Sequence, residues 1–349
     1  MFFDNPGYRR PPASVLSAVD DGMAPMLDEA FDPQHFMLRG AGTEAPGFEL
    51  GQGYFRGRDS EVGALARWFN GEGPAFQLVT GKRGVGKSAL LGVLVCAAHP
   101  QLRDHTKGLW SALSKKPAKN DWLAVVHARR RSLEEITDSL ARQMGAAEAD
   151  RPTGGWDAES LAQLAYAAAQ VPYAVVLDAL DEADRPQDLT QALLMPLAQA
   201  AQTGDTAAVR LLVGTRREPP FAHLLELAHA GGGLTDLDQA RAADVHRALL
   251  EYLTDLLAST DYAPLEAHAA GEALAEAIAA RLTGVEGRAS APDIERPLDW
   301  GEFLVAGLYL HHIRSLPVER DPARAQELGR AVPLGLPELL ELDLARRGD

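Results

Sequence analysis

The stretch VTGKRGVGKSAL, residues 79–90, has glycines and a lysine–serine pair at a spacing that suits phosphate binding. Gly81, Gly86, Lys87 and Ser88 match the pattern G-x-x-x-x-G-K-[ST]. Glycines let backbone N–H groups turn inward as an anion nest, and a following helix adds its positive dipole end. We therefore expect the loop to bind nucleotide phosphates, with Lys87 on the β- and γ-phosphates and the Ser88 hydroxyl on Mg²⁺.

The context of this loop supports the same interpretation. An apolar stretch, FQLVT, precedes it, and a helical pattern, KSALLGVLVCAA, follows it. A chance glycine turn is the alternative, and it does not require this strand–loop–helix arrangement. The predicted cofactor-binding positions in the loop are Gly81, Arg83, Gly84, Val85, Gly86, Lys87, Ser88 and Ala89.

A second group of chemistry-bearing residues lies in the stretch AVVLDALDEAD, where Asp178 ends an apolar run. In P-loop enzymes an aspartate at the end of such a strand holds the Mg²⁺ shell. Asp181 and Glu182 follow at the same predicted sheet edge, where ligands of open α/β sheets bind. We expect one of these two to orient or deprotonate an attacking water. A solvated acidic turn is the alternative, and four apolar residues before Asp178 argue against it there.

A third group, Thr215, Arg216 and Arg217, follows an apolar run in the stretch LLVGTRRE. A cation at a strand end can sense or neutralise a γ-phosphate. Arg216 is the better candidate of the arginine pair, and a plain surface pair is the alternative. Nothing resembles an N-K-x-D guanine reader, so we expect adenine and therefore ATP or ADP with Mg²⁺.

The elements that must position these residues alternate between apolar strand patterns and helical patterns. The strand patterns cover 76–80, 123–128, 173–178, 210–215 and 234–238. Apolar strands that alternate with helices predict a parallel sheet covered on both faces. The predicted fold class is therefore α/β, with a three-layer parallel-sheet P-loop NTPase domain over residues 53–238.

The regions on either side of this domain have different patterns. After residue 239 the strand pattern stops and leucines recur at helical spacing, which predicts an all-helical small domain, a lid, over 239–349. Residues 1–52 are rich in proline and glycine and are predicted to be a linker or tether, with a short helix over 15–31.

Charge and hydropathy narrow the classes of partner. The net charge of −15 disfavours broad binding to a nucleic-acid backbone, which needs a cationic face. No apolar run reaches the roughly 18 residues that a membrane span needs, and the N-terminus lacks the pattern of a signal peptide. We therefore expect a cytoplasmic protein without a membrane partner.

Together these stretches resemble the STAND class of P-loop ATPases, signal-transduction ATPases that include the NACHT and apoptotic-ATPase groups. VTGKRGVGKSALL resembles their Walker A loop and LLVGTRRE their sensor 1 segment. VVLDALDEAD resembles their Walker B form, in which acidic residues follow the Mg²⁺ aspartate by three and four positions. That form is the most specific element, because kinases and GTPases rarely carry it.

The resemblance also implies residues on the adenosine side of the nucleotide. YFRGRDSEVGALARWF resembles the family's hydrophobic-Gly-Arg segment, which implies Arg56 and Gly57 there, with Arg58 behind them. WGEFLVAGL resembles the helix start that closes over the nucleotide, which implies Gly301 and Phe303 near the base.

The resemblance implies partners as well. Family members commonly have an effector domain before the ATPase and a winged helix and a repeat sensor after it. This sequence has no room for an effector before residue 55 and ends at 349 without a sensor. We therefore expect a core fragment or split component of a larger bacterial-type sensor, which partners separate effector and sensor domains or subunits and forms a nucleotide-dependent homo-oligomer.

The leading functional hypothesis is a Mg²⁺-dependent ATPase that hydrolyses slowly and acts as a switch for assembly or effector activation in signalling or antiviral defence. An AAA+-type motor or nucleic-acid-handling ATPase is the alternative, and it would need a cationic face and an arginine finger supplied in trans. A small-molecule phosphotransferase is a third possibility, which would need a substrate lid.

Overall fold

The computed structural model describes residues 30–42, 53–169, 171–203, 208–286, 289–290 and 300–347. The short helix expected over 15–31 falls almost entirely outside the described residues.

The described residues contain one five-stranded parallel sheet. Its strands are β1 Phe76–Thr80, β2 Leu123–His127, β3 Tyr173–Asp178, β4 Val209–Gly214 and β5 Leu234–Asp236. Their spatial order is β2-β3-β4-β1-β5, so β4 lies between the strand that precedes the glycine loop and the strand that ends in Asp178. Because all strands run in the same direction, their carboxyl ends bring the three predicted groups of residues to one edge.

Helices cover both faces of this sheet. They are α1 Pro33–Ala41, α2 Asp59–Phe69, α3 Lys87–Ala98, α4 Lys107–Trp110, α5 Leu133–Gln143, α6 Ala158–Ala168, α7 Pro186–Leu189, α8 Met195–Thr203 and α9 Ala222–Ala230. One apolar core holds Ile136, Leu161, Leu193 and Leu224, and the core on the other face holds Phe36, Trp68, Leu90 and Leu94. The four long strands lie in the middle layer and are almost entirely buried, which explains why their sequences lack polar alternation. The three-layer α/β prediction is confirmed.

Helix α1 lies in the stretch that the sequence led us to expect as a tether. Phe36 of α1 is fully buried, and Gly40 of α1 crosses Gly92 of α3. A Cβ atom on Gly92 would lie 2.7 Å from the Gly40 nitrogen and from the Phe36 carbonyl oxygen, so the two helices touch backbone to backbone. At least this part of residues 1–52 is therefore packed on the sheet domain. The domain boundaries themselves stay a prediction.

A second, helical unit follows the sheet. It contains α10 Ala242–Ala258, α11 Leu265–Thr283, α12 Glu302–Ile313, α13 Pro322–Arg330 and α14 Leu336–Arg347, with a short hairpin of Val285–Glu286 and Ala289–Ser290. Leu253, Leu274, Ile278 and Tyr309 are among the side chains of its own apolar core. The predicted helical domain is confirmed. Across the described ranges, every helix is too short or too polar to cross a bilayer.

Candidate nucleotide-binding site

The glycine loop connects β1 to α3 through backbone conformations that require glycine. Gly81, Gly84 and Gly86 have φ angles of 142°, 73° and 102°, which residues with a Cβ rarely adopt. Nothing lies within 4 Å of the position that a Cβ on Gly86 would take, so the loop faces open space there. The loop therefore forms a backbone-lined cradle at the N-terminus of α3, the arrangement that binds phosphate.

Lys87, the first residue of α3, folds its side chain back over the loop. Its Nζ donates hydrogen bonds to the carbonyl oxygens of Gly81 and Lys82, at 2.6 and 2.9 Å. Burial lowers the pKa of Lys87, and the nearby carboxylates of Asp181 and Asp178 oppose that shift. The ammonium group is thus held in the mouth of the cradle, within the loop that an anion would enter.

Asp178 is a buried carboxylate at the end of β3, with 1% of its surface exposed. Its Oδ1 accepts a hydrogen bond from the Ala179 N–H at 2.9 Å, and its Oδ2 lies 2.8 Å from His35 Nε2. Burial raises the pKa of Asp178, but the hydrogen bond and charge of His35, the charge of His127 and a hydrogen bond from Ser88 outweigh it and leave the pKa below its usual value. The structure therefore brings Asp178 and Ser88, the two predicted Mg²⁺ ligands, into contact.

This donor set fits a magnesium–nucleotide complex. A hydroxyl and a carboxylate are hard oxygen ligands of the kind that Mg²⁺ prefers. At the end of the neighbouring strand β1, the Thr80 hydroxyl is buried and has no hydrogen-bond partner, an unsatisfied group that a bound ligand or its water can serve.

Asp181 and Glu182 lie in one short 3₁₀ turn, but their surroundings differ. The Asp181 side chain is buried and ion-paired to Arg216, whose backbone N–H also donates to it at 3.0 Å. The Glu182 side chain is about half exposed, 3.2 Å from Arg129 Nε. Asp181 is thus committed to holding Arg216 at the end of β4, whereas Glu182 is reachable by water.

Backbone strain is concentrated around the same edge. The non-glycine residues with positive φ in the described part of the chain are Asp32, Arg58, Arg130 and Ala179, with φ of 45°, 60°, 56° and 59°. Ala179 follows Asp178, the predicted Mg²⁺ ligand, and the Arg130 N–H donates to the Glu182 carbonyl at 2.7 Å. Such conformations cost on the order of 1–3 kcal/mol each and persist where surrounding contacts demand them, often at functional sites.

The three residues predicted on the adenosine side take different positions. Arg56 lies 2.5 Å from Asp255 of α10, and Gly57 packs so closely on Ala248 of α10 that a Cβ would overlap it. The Arg58 guanidinium donates to the carbonyl oxygens of Leu237, at 2.9 Å, and Val85, at 3.3 Å. Arg58, which the sequence ranked behind the other two, is the one that reaches the glycine loop.

Helix α12 of the helical unit begins directly on the glycine loop. The Gly301 N–H donates to the Arg83 carbonyl at 2.6 Å, and Lys82 Nζ lies 2.7 Å from Glu302 Oε1. A Cβ on Gly84 would lie 2.5 Å from Leu304 Cβ, so a second helical-unit side chain covers the loop. The loop is therefore shared between the two units.

Phe303 is placed differently from Gly301. Its ring lies edge-on to Tyr252, with centroids 5.6 Å apart, and it packs against the core of the helical unit. The structure thus brings Gly301 to the loop. Phe303, which follows the contact residue Glu302, packs in the core of the helical unit instead.

Sequence reasoning missed several residues that contact this site. Asp238, just after β5, accepts the Lys82 N–H on both carboxylate oxygens, at 3.1 and 2.9 Å. Glu302 pairs with Lys82, and His35 contacts Asp178. Asp238 and His35 belong to no local motif, and Glu302 lies within WGEFLVAGL, between the two residues that the resemblance pointed to; each reaches the site from a distant part of the chain.

Comparisons with known proteins identify distant structural neighbours. No protein-family model and no curated protein matches the chain. The chain is similar to the Orc1 protein of Aeropyrum pernix in complex with DNA, at 17% identity over 75% of this chain and 69% of that one, with a TM-score of 0.35. It is also similar to C. elegans PCH-2, at 12% identity over 82% and 68%, with a TM-score of 0.34. These likenesses are too distant to bear on function, which must be argued from the site.

The contact between Gly301 and the loop can be tested by Gly301→Ala. The added Cβ would overlap the Gly84 carbonyl group, so α12 must shift off the loop. Overpacking of about 1–3 kcal/mol at this contact should speed amide hydrogen exchange in residues 82–86 by roughly 5- to 150-fold. Gly154→Ala, where a Cβ meets nothing within 4 Å, is the matched control. Unchanged exchange in the loop of Gly301→Ala would show that the contact does not hold it.

Proposed function

We propose that the chain is a Mg²⁺-dependent, slowly hydrolysing ATPase that works as a regulatory switch for assembly or effector activation in signalling or defence. The observation that carries this proposal is the position of α12 on the glycine loop. Gly301 and Glu302 touch the backbone and side chain of the same loop that has the geometry to bind phosphate. A ligand in that loop must therefore act on the contact between the two units.

The binding roles follow from the contacts around the loop. The glycine-loop N–H groups and the N-terminus of α3 bind the phosphates, and Lys87 exchanges its two carbonyl partners for phosphate oxygens. Ser88 and Asp178 would hold the Mg²⁺, which neutralises phosphate charge when bound. Arg56 and Arg58 lie just before α2, where Arg56 contacts Asp255 of α10 and Arg58 contacts the Leu237 carbonyl, on the side proposed for adenosine.

The two acids of the 3₁₀ turn divide the remaining work. Glu182, accessible at the strand edge, is the candidate that orients the attacking water. Asp181 positions Arg216 to sense the γ-phosphate, because it binds both the backbone and the side chain of that arginine. The ion pair between Glu182 and Arg129 must rearrange before Glu182 can serve a water, which is consistent with slow turnover.

The switch is favoured over a motor or nucleic-acid ATPase by charge and by connectivity. A net charge of −15 opposes nucleic-acid binding. Glu302 of α12 contacts Lys82 of the glycine loop within one chain, so a bound nucleotide can move α12 without a second subunit. The proposal includes separate sensor and effector domains or subunits, because a switch needs a signal that triggers it and a partner on which it acts. It also includes a nucleotide-dependent homo-oligomer.

Nucleotide binding is tested by Lys87→Ala. Loss of a charge-assisted phosphate contact, ~1.5–3 kcal/mol, should weaken Mg²⁺·ATP binding roughly tenfold to a hundredfold in calorimetry. Lys119→Ala, a lysine paired on the exposed surface with Asp121, should bind as the wild type does. Equal affinity of folded Lys87→Ala and wild type would refute the phosphate-binding role of the loop.

The division between the acids is tested by Glu182→Gln and Asp181→Asn. Glu182→Gln should leave Mg²⁺·ATP affinity within about threefold and slow hydrolysis by roughly 10²- to 10⁴-fold, since it removes only water activation. Asp181→Asn should instead loosen Arg216, and the effect on hydrolysis should be shared by Arg216→Ala. Phosphate release measured under single turnover decides the assignment. Normal hydrolysis by Glu182→Gln would transfer the role to Asp181.

The switch is tested by comparing ADP with a non-hydrolysable ATP analogue. Since a nucleotide shifts an equilibrium only by its differential affinity for the two states, the two ligands should protect the first turn of α12 from hydrogen exchange to different extents. Arg216→Ala should abolish the difference, because Arg216 senses the γ-phosphate. Identical exchange with both nucleotides in wild type would mean that the chain holds nucleotide without switching.

A further inference from the structure

The magnesium aspartate has a partner outside the P-loop motifs, in helix α1. His35 Nε2 lies 2.8 Å from Asp178 Oδ2, and 8% and 2% of the two side chains are exposed. A carboxylate only accepts hydrogen bonds, so Nε2 of His35 carries the proton and donates it. One oxygen of Asp178 is thus held by α1, and the other accepts the N–H of Ala179.

The His35 ring is itself fixed by a second Asp–His pair. The His127 ring stacks on it, with centroids 3.4 Å apart and planes 13° from parallel. His127 Nδ1 lies 2.8 Å from Asp32 Oδ2, and Asp32 Oδ1 accepts the backbone N–H of His35 at 3.1 Å. Asp32 therefore caps α1 and holds the stacked ring, which leaves the His35 imidazole little freedom to turn away from Asp178.

The same side chains could suggest a metal centre, because ligand atoms of Asp32, His35 and His127 lie within 4.8 Å of one another. The ring geometry opposes this. The lone pair of an imidazole nitrogen lies in the plane of its ring, and the planes of two stacked, nearly parallel rings do not meet at a nearby point. One ion cannot be coordinated by both histidines in this arrangement, so the cluster orients a carboxylate.

Helix α1 docks on the sheet domain through contacts that are separate from this hydrogen bond. Gly40 meets Gly92 of α3, and the Ala41 carbonyl accepts the N–H of Tyr54 at 2.8 Å. Helix α3 also carries Lys87 and Ser88 at its start. The helix that presents His35 therefore rests on the helix that presents the phosphate and metal ligands.

We propose that His35 is a positioning residue of the magnesium site, and that through it the docking of α1 is coupled to the binding of Mg²⁺·nucleotide. The inference rests on the proposed function of the site. His35 holds the Asp178 carboxylate beside Ser88, so lifting α1 frees that carboxylate to rotate and weakens Mg²⁺ binding. Coupling of this kind is reciprocal, so bound Mg²⁺·nucleotide holds α1 in place to the same extent. Residues ahead of the ATPase core can thereby report on, or control, the state of the nucleotide.

A matched pair of amide substitutions separates the hydrogen bond from simple packing. In His35→Gln the side-chain nitrogen falls near the position of Nε2 and can donate to Asp178, whereas in His35→Asn it falls near Nδ1 and cannot reach. Calorimetry on the full chain gives the ATP affinity in excess EDTA and its increase with Mg²⁺. We expect all three proteins to bind ATP with equal affinity in EDTA. The Mg²⁺ requirement, the Mg²⁺ concentration that gives half of the increase in ATP affinity, should lie within about threefold of wild type in His35→Gln. In His35→Asn it should be about tenfold higher.

Hydrogen exchange gives a second readout that does not depend on turnover. Mg²⁺·ATP should slow exchange of the α1 amides, residues 36–41, in wild type and His35→Gln but not in His35→Asn. Gly40→Ala, which pushes α1 from α3 without touching His35 or Asp178, should raise the Mg²⁺ requirement as His35→Asn does. This variant keeps the test intact if His35→Asn fails to fold.

Each other outcome overturns the proposal. A wild-type Mg²⁺ requirement in His35→Asn, or in Gly40→Ala with faster α1 exchange, removes the coupling. Equal losses in His35→Gln and His35→Asn mean that the imidazole ring only packs. Stoichiometric binding of Zn²⁺ by nucleotide-free wild type makes the cluster a metal centre instead. A wild type that binds no Mg²⁺·ATP refutes the proposed function, and this inference with it.

Discussion

Burial of the Asp178 carboxylate is the constraint on which the rest of the site depends. A buried charge is tolerated only when hydrogen bonds and opposite charges replace the water it has lost. In the described part of the chain this compensation comes from His35 of α1, the N–H of Ala179, the Ser88 hydroxyl and the nearby Lys87. Three stretches of the chain, at residues 35, 87–88 and 178–179, thus meet at one carboxyl group, which explains why the carboxyl edge of the sheet is so closely organised.

The cost of this organisation is visible in the backbone. Ala179 takes a left-handed conformation that places its N–H on Asp178, and Gly214 of β4 leaves no space for a Cβ, which would lie 2.7 Å from Asp178 Oδ1. Strain and close approach are accepted where the carboxylate must be held at a fixed position, as expected of a site that is organised before its ligand binds.

The loop and the two neighbouring units form one connected system. Lys82 donates its backbone N–H to Asp238 and its ammonium group to Glu302, so one loop residue joins the edge of the sheet to the helical unit. On the opposite side, α1 joins the loop helix α3 to Asp178. Phosphate in the loop and metal beside Asp178 would therefore meet two separate elements, α12 and α1. This is why we assign a regulatory role to the nucleotide.

The sequence by itself determined the sheet, its covering helices, the helical unit and the residues at the strand ends. These features follow from local patterns: apolar runs of strand length, leucines at helical spacing, and a glycine-rich loop that ends in Gly-Lys-Ser. Only the tertiary structure decided that α1 packs on the sheet domain and that Asp181 binds Arg216 while Glu182 stays accessible. It also decided that Arg58, and not Arg56, contacts the glycine loop.

Helix α1 was not predicted from the sequence because it is nine residues long and meets α3 through Gly40, which adds nothing to a hydrophobic period. His35 and Asp178 lie 143 residues apart. No local periodicity records such a pair, because the distance between two distant residues is set by how whole elements pack.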